Sequence, residues 1–301
     1  LAGERPVFVK PFAYLRAQEV AEASRLLADG DGSVKALAGG QSLLPMINAG
    51  LVECSALVDI SSIAGLRGIS QASDGSFLEL GALETHRSLA ADPSLKAGQP
   101  LVAEAARHIG NTRVRNRGTL GGSLAHADPS GELPLVMTAL GATVVVENAQ
   151  RKRELRAEEL QASYFSTVLE DDELITAVRV PAISPGWGWG FVEASRRRGD
   201  FAMVAVASLM RTASGEVVEA RLAVGGVAER PVRLAAVEAA LSGAGREDLV
   251  SRATHIGGLE PMSDANATSS YRRHLLPVLV ARALAQAYDR AESGLRQGGH
   301  P

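Results

Sequence analysis

A single cysteine, Cys54, stands in this chain. A disulfide within it is therefore impossible, and so is a thiolate-held iron–sulfur cluster, which takes several cysteines. The six histidines are scattered, with no pair four residues apart beside a carboxylate, so the chain holds no metal centre of its own. There is no basic excess: 31 Lys and Arg against 34 Asp and Glu leave a net charge of −3, which argues against nucleic acid as a main partner. No apolar run approaches the roughly 20 residues needed to span a bilayer. Leu1 to Lys10 lacks the basic-then-apolar layout of a signal peptide, so a cytoplasmic home is expected. A nucleophile–base pair is missing as well, because neither Ser42 nor Ser123 has a histidine at a diagnostic offset. No catalytic acid or base is assigned.

What is present is Gly, Ala and Val in abundance, and two glycine-paired segments. Ala38-Gly39-Gly40-Gln41-Ser42-Leu43 follows an apolar β-like run, Val34 to Ala38. Gly118-Thr119-Leu120-Gly121-Gly122-Ser123 lies inside a longer string running from Arg113 to Pro129. Glycine lets backbone approach a ligand closely and visit positive φ, so amides alone can hold a polyanion. Neither segment is a dinucleotide-fold G-x-G-x-x-G or a phosphate-loop Gly-Lys-Ser/Thr. If the two face each other, their amides and the Ser42, Thr119 and Ser123 hydroxyls could surround a pyrophosphate. Valine at Gly121 is then expected to abolish binding while secondary structure survives.

The remaining pattern reads as α+β. Helices are expected at Gln18 to Ala28, Thr85 to Ala91 with Thr85 as cap, Leu101 to Ile109 and Glu132 to Leu140. Strands are expected at Val34 to Ala38, Leu57 to Ile60, Phe77 to Leu80, Ala142 to Val146 and Leu174 to Pro181. Residues 148–163 read as charged surface, and Pro181 to Gly190 as a hinge or connector. Three antiparallel strands follow, Phe191 to Ala194, Ala202 to Arg211 and Val217 to Gly225, then three helical stretches, Arg233 to Leu241, Arg246 to Ile256 and Tyr271 to Ala291.

Ala-Gly-Gly-Gln-Ser-Leu-Leu-Pro from Ala38 and Arg-Asn-Arg-Gly-Thr-Leu-Gly-Gly-Ser-Leu-Ala-His-Ala-Asp-Pro from Arg115 resemble the two flavin loops of the molybdenum hydroxylases' FAD-binding medium subunit, the family of bacterial carbon monoxide dehydrogenase and xanthine dehydrogenase. Leu57-Val58-Asp59-Ile60 and Arg198-Gly199-Asp200-Phe201-Ala202 extend the likeness, which runs from about Pro11 to about Asp289. The resemblance implies a two-part FAD-binding domain of the vanillyl-alcohol-oxidase (PCMH) type over 1–181, with sub-domains about 1–60 and 61–181. It further implies a C-terminal domain over 182–295, with a three-stranded antiparallel sheet and a helical bundle, and a flexible tail over 296–301.

The function implied is an oxidoreductase's electron-transfer subunit. FAD in this chain would take electrons from two [2Fe-2S] clusters in a small partner subunit and pass them to an external acceptor. A large partner subunit would hold the molybdenum cofactor, in a dimer of heterotrimers. Among site residues, Glu132 is placed near the adenosine ribose, His126 and Asp128 beside the cofactor, and Ile175 beside the adenine. Each also has a bland reading. Glu132 suits a helix N-terminus, Asp128 before Pro129 suits a turn, and Ile175 suits a strand core. Arg113, Arg115 and Arg117 alternate, so extended backbone would put them on one side, as a solvated face or beside phosphates or a partner. Two departures concern the redox end. Val192 and Glu193 stand where relatives often have a lysine, and Phe201 where some have a tyrosine; Phe201 can still stack on the flavin ring. Two other readings stay open: a self-sufficient FAD-dependent reductase or oxidase, and a non-redox interaction module that has lost flavin.

Overall fold

The computed structural model describes residues 10–184, 186–253 and 256–298. The chain opens with β1 (Ala13–Arg16), α1 (Val20–Ala28), β2 (Val34–Leu37), α2 (Leu43–Asn48) and β3 (Ala56–Asp59). The three strands form a parallel sheet in the order β1-β3-β2, so β3 is the central strand and all four of its residues are buried. Helix α1 covers this sheet because Ala23 and Leu27 fall on one face of its 3.6-residue repeat.

Next come β4 (Ile69–Gln71), β5 (Phe77–Gly81), α3 (His86–Ala91), α4 (Pro93–Gly98), α5 (Pro100–His108), α6 (Thr112–Arg117), α7 (Leu120–His126), α8 (Glu132–Leu140), β6 (Thr143–Glu147), β7 (Lys152–Arg156), α9 (Ala157–Leu160), β8 (Gln161–Ser163), β9 (Ser166–Thr167) and β10 (Leu174–Pro181). Five of these strands make an antiparallel sheet ordered β4-β5-β10-β6-β7, while β8 and β9 form a separate small hairpin. Thr85 caps α3, its side chain accepting from the Ser88 amide. The stretch 148–163, expected as charged surface, contains β7, α9 and β8. β7 is an edge strand, so its alternating charges can face water while its backbone pairs with β6.

The C-terminal part holds β11 (Trp187–Ala194), β12 (Val204–Ala213), β13 (Glu216–Gly225), β14 (Val232–Arg233), α10 (Ala235–Ala240), α11 (Leu249–Arg252) and α12 (Ser269–Gly298). Its antiparallel sheet has four strands, β11-β12-β13-β14, rather than the three expected. The two-residue β14 is too short to show a period in sequence. Alternation in β12 divides the packing: Ala205, Ala207 and Leu209 join the core built around α5 and α8, whereas Val204, Val206 and Met210 face α12. Among the described residues α10 packs on β13 and α12 on β11 and β12, instead of the expected helical bundle. Helix α12 lies directly on the sheet, and a Cβ at Gly188 or Gly190 would sit 1.9 Å from the Ala287 carbonyl oxygen or 2.1 Å from that of Ala283. Those two glycines belong to β11, which begins at Trp187, so the expected hinge or connector from Pro181 to Gly190 is in part strand. Trp189 is tied down too, its indole N–H donating to Glu104 on α5 at 2.6 Å. Helix α12 continues to Gly298, inside the stretch read as a tail; residues 299–301, like 1–9, lie outside the described residues.

Candidate cofactor site

The first glycine segment turns the chain from β2 into α2. Gly40 takes a φ of 72°, which glycine adopts freely. The amides of Gly39, Gly40, Gln41 and Ser42 donate to no group among the described residues, so four successive N–H groups are available to an anion. A Cβ at Gly39 would lie 2.1 Å from the carbonyl oxygen of Arg117, so the segment packs directly onto the α6–α7 junction.

The second segment is differently built from what its sequence suggests. Thr119 is the N-cap of α7, its hydroxyl accepting from the Gly122 amide at 3.1 Å. Leu120 N–H donates to the Glu84 carbonyl, Gly121 N–H to that of Ala82, and Ser123 N–H to that of Thr119. Apart from that of Thr119, its amides are thus spent on the protein, and the expectation of two amide-lined loops is corrected. Leu120 is fully buried in the core and is the one expected site residue that does not line the cleft. Gly121 packs against β5's end: a Cβ would meet that of Ala82 at 2.7 Å, so valine there disturbs the fold, contrary to expectation. A Cβ at Gly122 would stand 2.8 Å from the Thr119 hydroxyl that caps α7 and 3.9 Å from the Cβ of Ala38, across the gap between the segments.

Arg113, Arg115 and Arg117 are helical, not extended. The Asn111 side chain accepts from the Arg113 and Val114 amides and starts α6. Arg113 and Arg117 then share one exposed face, while Arg115 folds back to donate to the Ile109 and Gly110 carbonyls at 2.9 and 2.7 Å.

Together these segments border a cleft of about 630 Å³, within the size range of small-molecule sites. Ala38 to Leu43, Gly118, Thr119, Gly121, Gly122, Ser123, His126, Asp128, Glu132, Ile175 and Phe201 all line it. Glu132, only 9% exposed, has its pKa pushed up to about 8 by burial, with Glu193 and Asp128 adding repulsion. Burial likewise raises Asp128, whose carboxylate accepts from the Ser130 amide at 2.8 Å, and lowers His126. Phe201 is 62% exposed at the cleft wall. Next to it Gly199 has a φ of 87° and packs on Gly110, where a Cβ would stand 2.7 Å from the carbonyl oxygen. Glu193 points to His108 instead, with Oε1 3.2 Å from Nδ1, and this hydrogen bond raises the imidazole pKa.

His86 is a lining residue the sequence did not reveal. Its Nε2 lies 3.2 Å from the Thr119 carbonyl oxygen and 3.0 Å from Ser123 Oγ. Burial lowers its pKa to about 4, so the ring is neutral at pH 7. A serine–histidine pair therefore exists after all, between residues 37 positions apart in sequence. It is not a nucleophile and its base. Nε2 faces a carbonyl, which only accepts, so Nε2 carries the proton, and buried Nδ1 has no carboxylate to orient it. Phe165 also lines the cleft, on the β8–β9 turn.

Residues 10–183 match the family described as FAD binding domain in molybdopterin dehydrogenase, and 189–287 match the CO dehydrogenase flavoprotein C-terminal domain. The chain belongs to this flavoprotein family. It is 37% identical to 6-hydroxypseudooxynicotine dehydrogenase complex subunit alpha of Paenarthrobacter nicotinovorans, over 93% of this chain and 95% of that one. It is 34% identical to the carbon monoxide dehydrogenase medium chain of Hydrogenophaga pseudoflava, over 93% and 98%. A solved structure of carbon monoxide dehydrogenase from that organism, lacking the Mo-pyranopterin moiety of its molybdenum cofactor, superposes with a TM-score of 0.89 at 35% identity, covering 94% and 99%. The flavoprotein chain is thus an oxidoreductase subunit with its own FAD-binding domain. Its relatives are subunits of multi-subunit dehydrogenases. The cleft fits an FAD: four free amides suit a pyrophosphate, and the exposed rings of Phe165 and Phe201 suit flat ligand surfaces. No helix among the described residues is long and apolar enough to cross a membrane.

Proposed function

We propose that this chain is the electron-transfer subunit of a molybdenum-containing hydroxylase, holding FAD between its two glycine segments. Residues 1–181, in sub-domains 1–60 and 61–181 of the PCMH type, form the FAD-binding domain of this reading, and 182–295 the C-terminal domain. The run of free amides from Gly39 to Ser42, opposite the bare Cα of Gly122, carries the proposal. These amides donate to the pyrophosphate, and the Ser42 hydroxyl adds a further donor. His86 holds the Thr119–Ser123 turn in place from behind. Glu132 and Asp128 receive the adenosine ribose hydroxyls, Ile175 borders the adenine, and Phe201 borders the isoalloxazine ring.

Bound there, FAD supplies one- and two-electron redox chemistry. No serine in the cleft is set up as a nucleophile, since Ser123 meets a histidine whose Nε2 also faces the Thr119 carbonyl. In this reading substrate oxidation belongs to a large molybdenum-cofactor subunit. A small subunit with two [2Fe-2S] clusters delivers electrons to this one, in a cytoplasmic dimer of heterotrimers. The single cysteine supports that division, since this chain cannot ligate such clusters itself.

An absorption spectrum of the purified chain, alone and co-purified with its partner subunits, tests the proposal. Flavin bands should be present in both and bleach with substrate only in the complex. Flavin reduction by a small molecule in the isolated chain would make it a self-sufficient enzyme, and a preparation that takes up no added FAD would remove the site.

A further inference from the structure

Two residues beside the cleft hold left-handed backbone without being glycine, Ala127 at φ 54° and Phe165 at φ 52°. Such a conformation crowds Cβ against the neighbouring carbonyl, most of all for a bulky residue. Phe165 occupies the two-residue turn between β8 and β9, a place where glycine adopts positive φ without strain. Packing does not explain the choice, because Phe165 is 54% exposed. The strain is instead locked in. The Phe165 amide donates to the Ala127 carbonyl at 3.1 Å, and the buried Gln161 side chain donates to the same oxygen at 2.6 Å. The result is an aromatic wall: the Phe165 and His126 rings stand 5.2 Å apart, tilted by 45°, and both line the cleft. Strain held at a ligand-facing position, with no gain in burial, is a feature of binding residues.

We propose that the linked Ala127 and Phe165 turns present His126 and Phe165 as the stacking wall for the adenine of a bound dinucleotide. This rests on the reading of the cleft as an FAD site. The cleft exposes two phenylalanines, Phe165 and Phe201, from different domains, and FAD has two flat ends joined through a pyrophosphate. Asp128, two residues from His126 in sequence, selects which end meets Phe165. A carboxylate accepts two hydrogen bonds from the ring-fixed cis diol of an adenosine ribose, which is preorganised for it, whereas the ribityl hydroxyls sit on an open chain that must be ordered first. Base–aromatic stacking on this wall raises affinity and leaves the redox ring untouched.

FAD titration of the full chain decides the matter, comparing wild type with Phe165→Ala, Phe165→Gly and Phe165→Trp. The Ala and Gly variants should bind FAD about tenfold more weakly, and Phe165→Trp should retain affinity. The absorption spectrum and midpoint potential of bound flavin should be unchanged in all three. Compared without FAD, Phe165→Gly should melt no lower than wild type, since glycine relieves the backbone strain. Unchanged affinity in Phe165→Gly would overturn the assignment. So would a shifted flavin spectrum or potential, which would place the ring at the isoalloxazine end, or a melting temperature that falls with affinity, which would make Phe165 structural. A wild-type chain that binds no FAD would instead bring down the cofactor reading, and this inference with it.

Discussion

The Arg117 carbonyl oxygen lies where a side chain at Gly39 would begin, 2.1 Å from the position of its Cβ. Glycine there is a packing requirement between two segments 78 residues apart in sequence. It brings the free amides of the first segment against the start of α7. The cradle thus depends on a contact in which no ligand takes part.

Gly39→Ala should accordingly fail in two ways at once. Overpacking against fixed backbone costs about 1–3 kcal/mol, and the loop must back away from α7. Thermal melting and flavin content, measured on the same preparation, should both fall. Native stability in this variant would show that the contact is softer than its geometry.

Gly122→Ala separates binding from folding. The added methyl meets only the Thr119 hydroxyl, at 2.8 Å, and otherwise points towards Ala38. Helix propensity gains up to about 1 kcal/mol from the exchange, which offsets a weakened cap. Stability should stay near wild type while FAD affinity drops, as titration would show. Gly121→Val should instead lose stability, because its neighbour is Ala82.

His86 and Glu132 impose opposite pH dependences on the unliganded chain. His86 titrates near 4 when folded against a usual 6.5, so its contribution is complete above pH 6.5 and is lost as pH falls through 4. That loss is of the order of a few kcal/mol. Glu132 titrates near 8 when folded against a usual 4.5, so its neutral form favours folding at low pH and that advantage is lost as pH rises through 8. Urea unfolding between pH 4 and 9 should show Glu132→Gln flattening the alkaline limb and His86→Gln flattening the acid limb.

Glu104 joins the two parts of the chain, accepting from Trp189 at 2.6 Å and from Arg290 at 2.9 Å. Removing it leaves a partly buried indole N–H without its acceptor and the Arg290 guanidinium with only the Trp189 carbonyl, 2.8 Å away. Glu104→Ala should destabilise by about 1–3 kcal/mol and lower a single melting transition. Two separate transitions would show that the expected connector behaves as a hinge.

Elements whose pattern is local were legible before any coordinates. Glu132 to Leu140 is helical as read, and Thr85 caps α3 as read. Both follow from neighbours within a few residues. The arginine triplet misled because alternation suggests a strand, whereas Asn111 capping decides for a helix. His86 and Phe165 had no local signature at all. Their importance comes from Ser123, 37 residues from His86, and Ala127, 38 residues from Phe165, which only folding brings near.

The amino-acid sequence by itself determined the family, the cofactor class and the absence of cysteine-ligated clusters, because glycine strings and residue counts survive any fold. The tertiary structure alone decided which amides remain free. Both glycine segments look equally bare in sequence, yet the second donates four successive N–H groups, Leu120 to Ser123, to Ala82, Glu84 and Thr119, while Gly39 to Ser42 keep theirs free among the described residues. A hydrogen bond to a distant carbonyl is a property of packing, and no local pattern of residues encodes it.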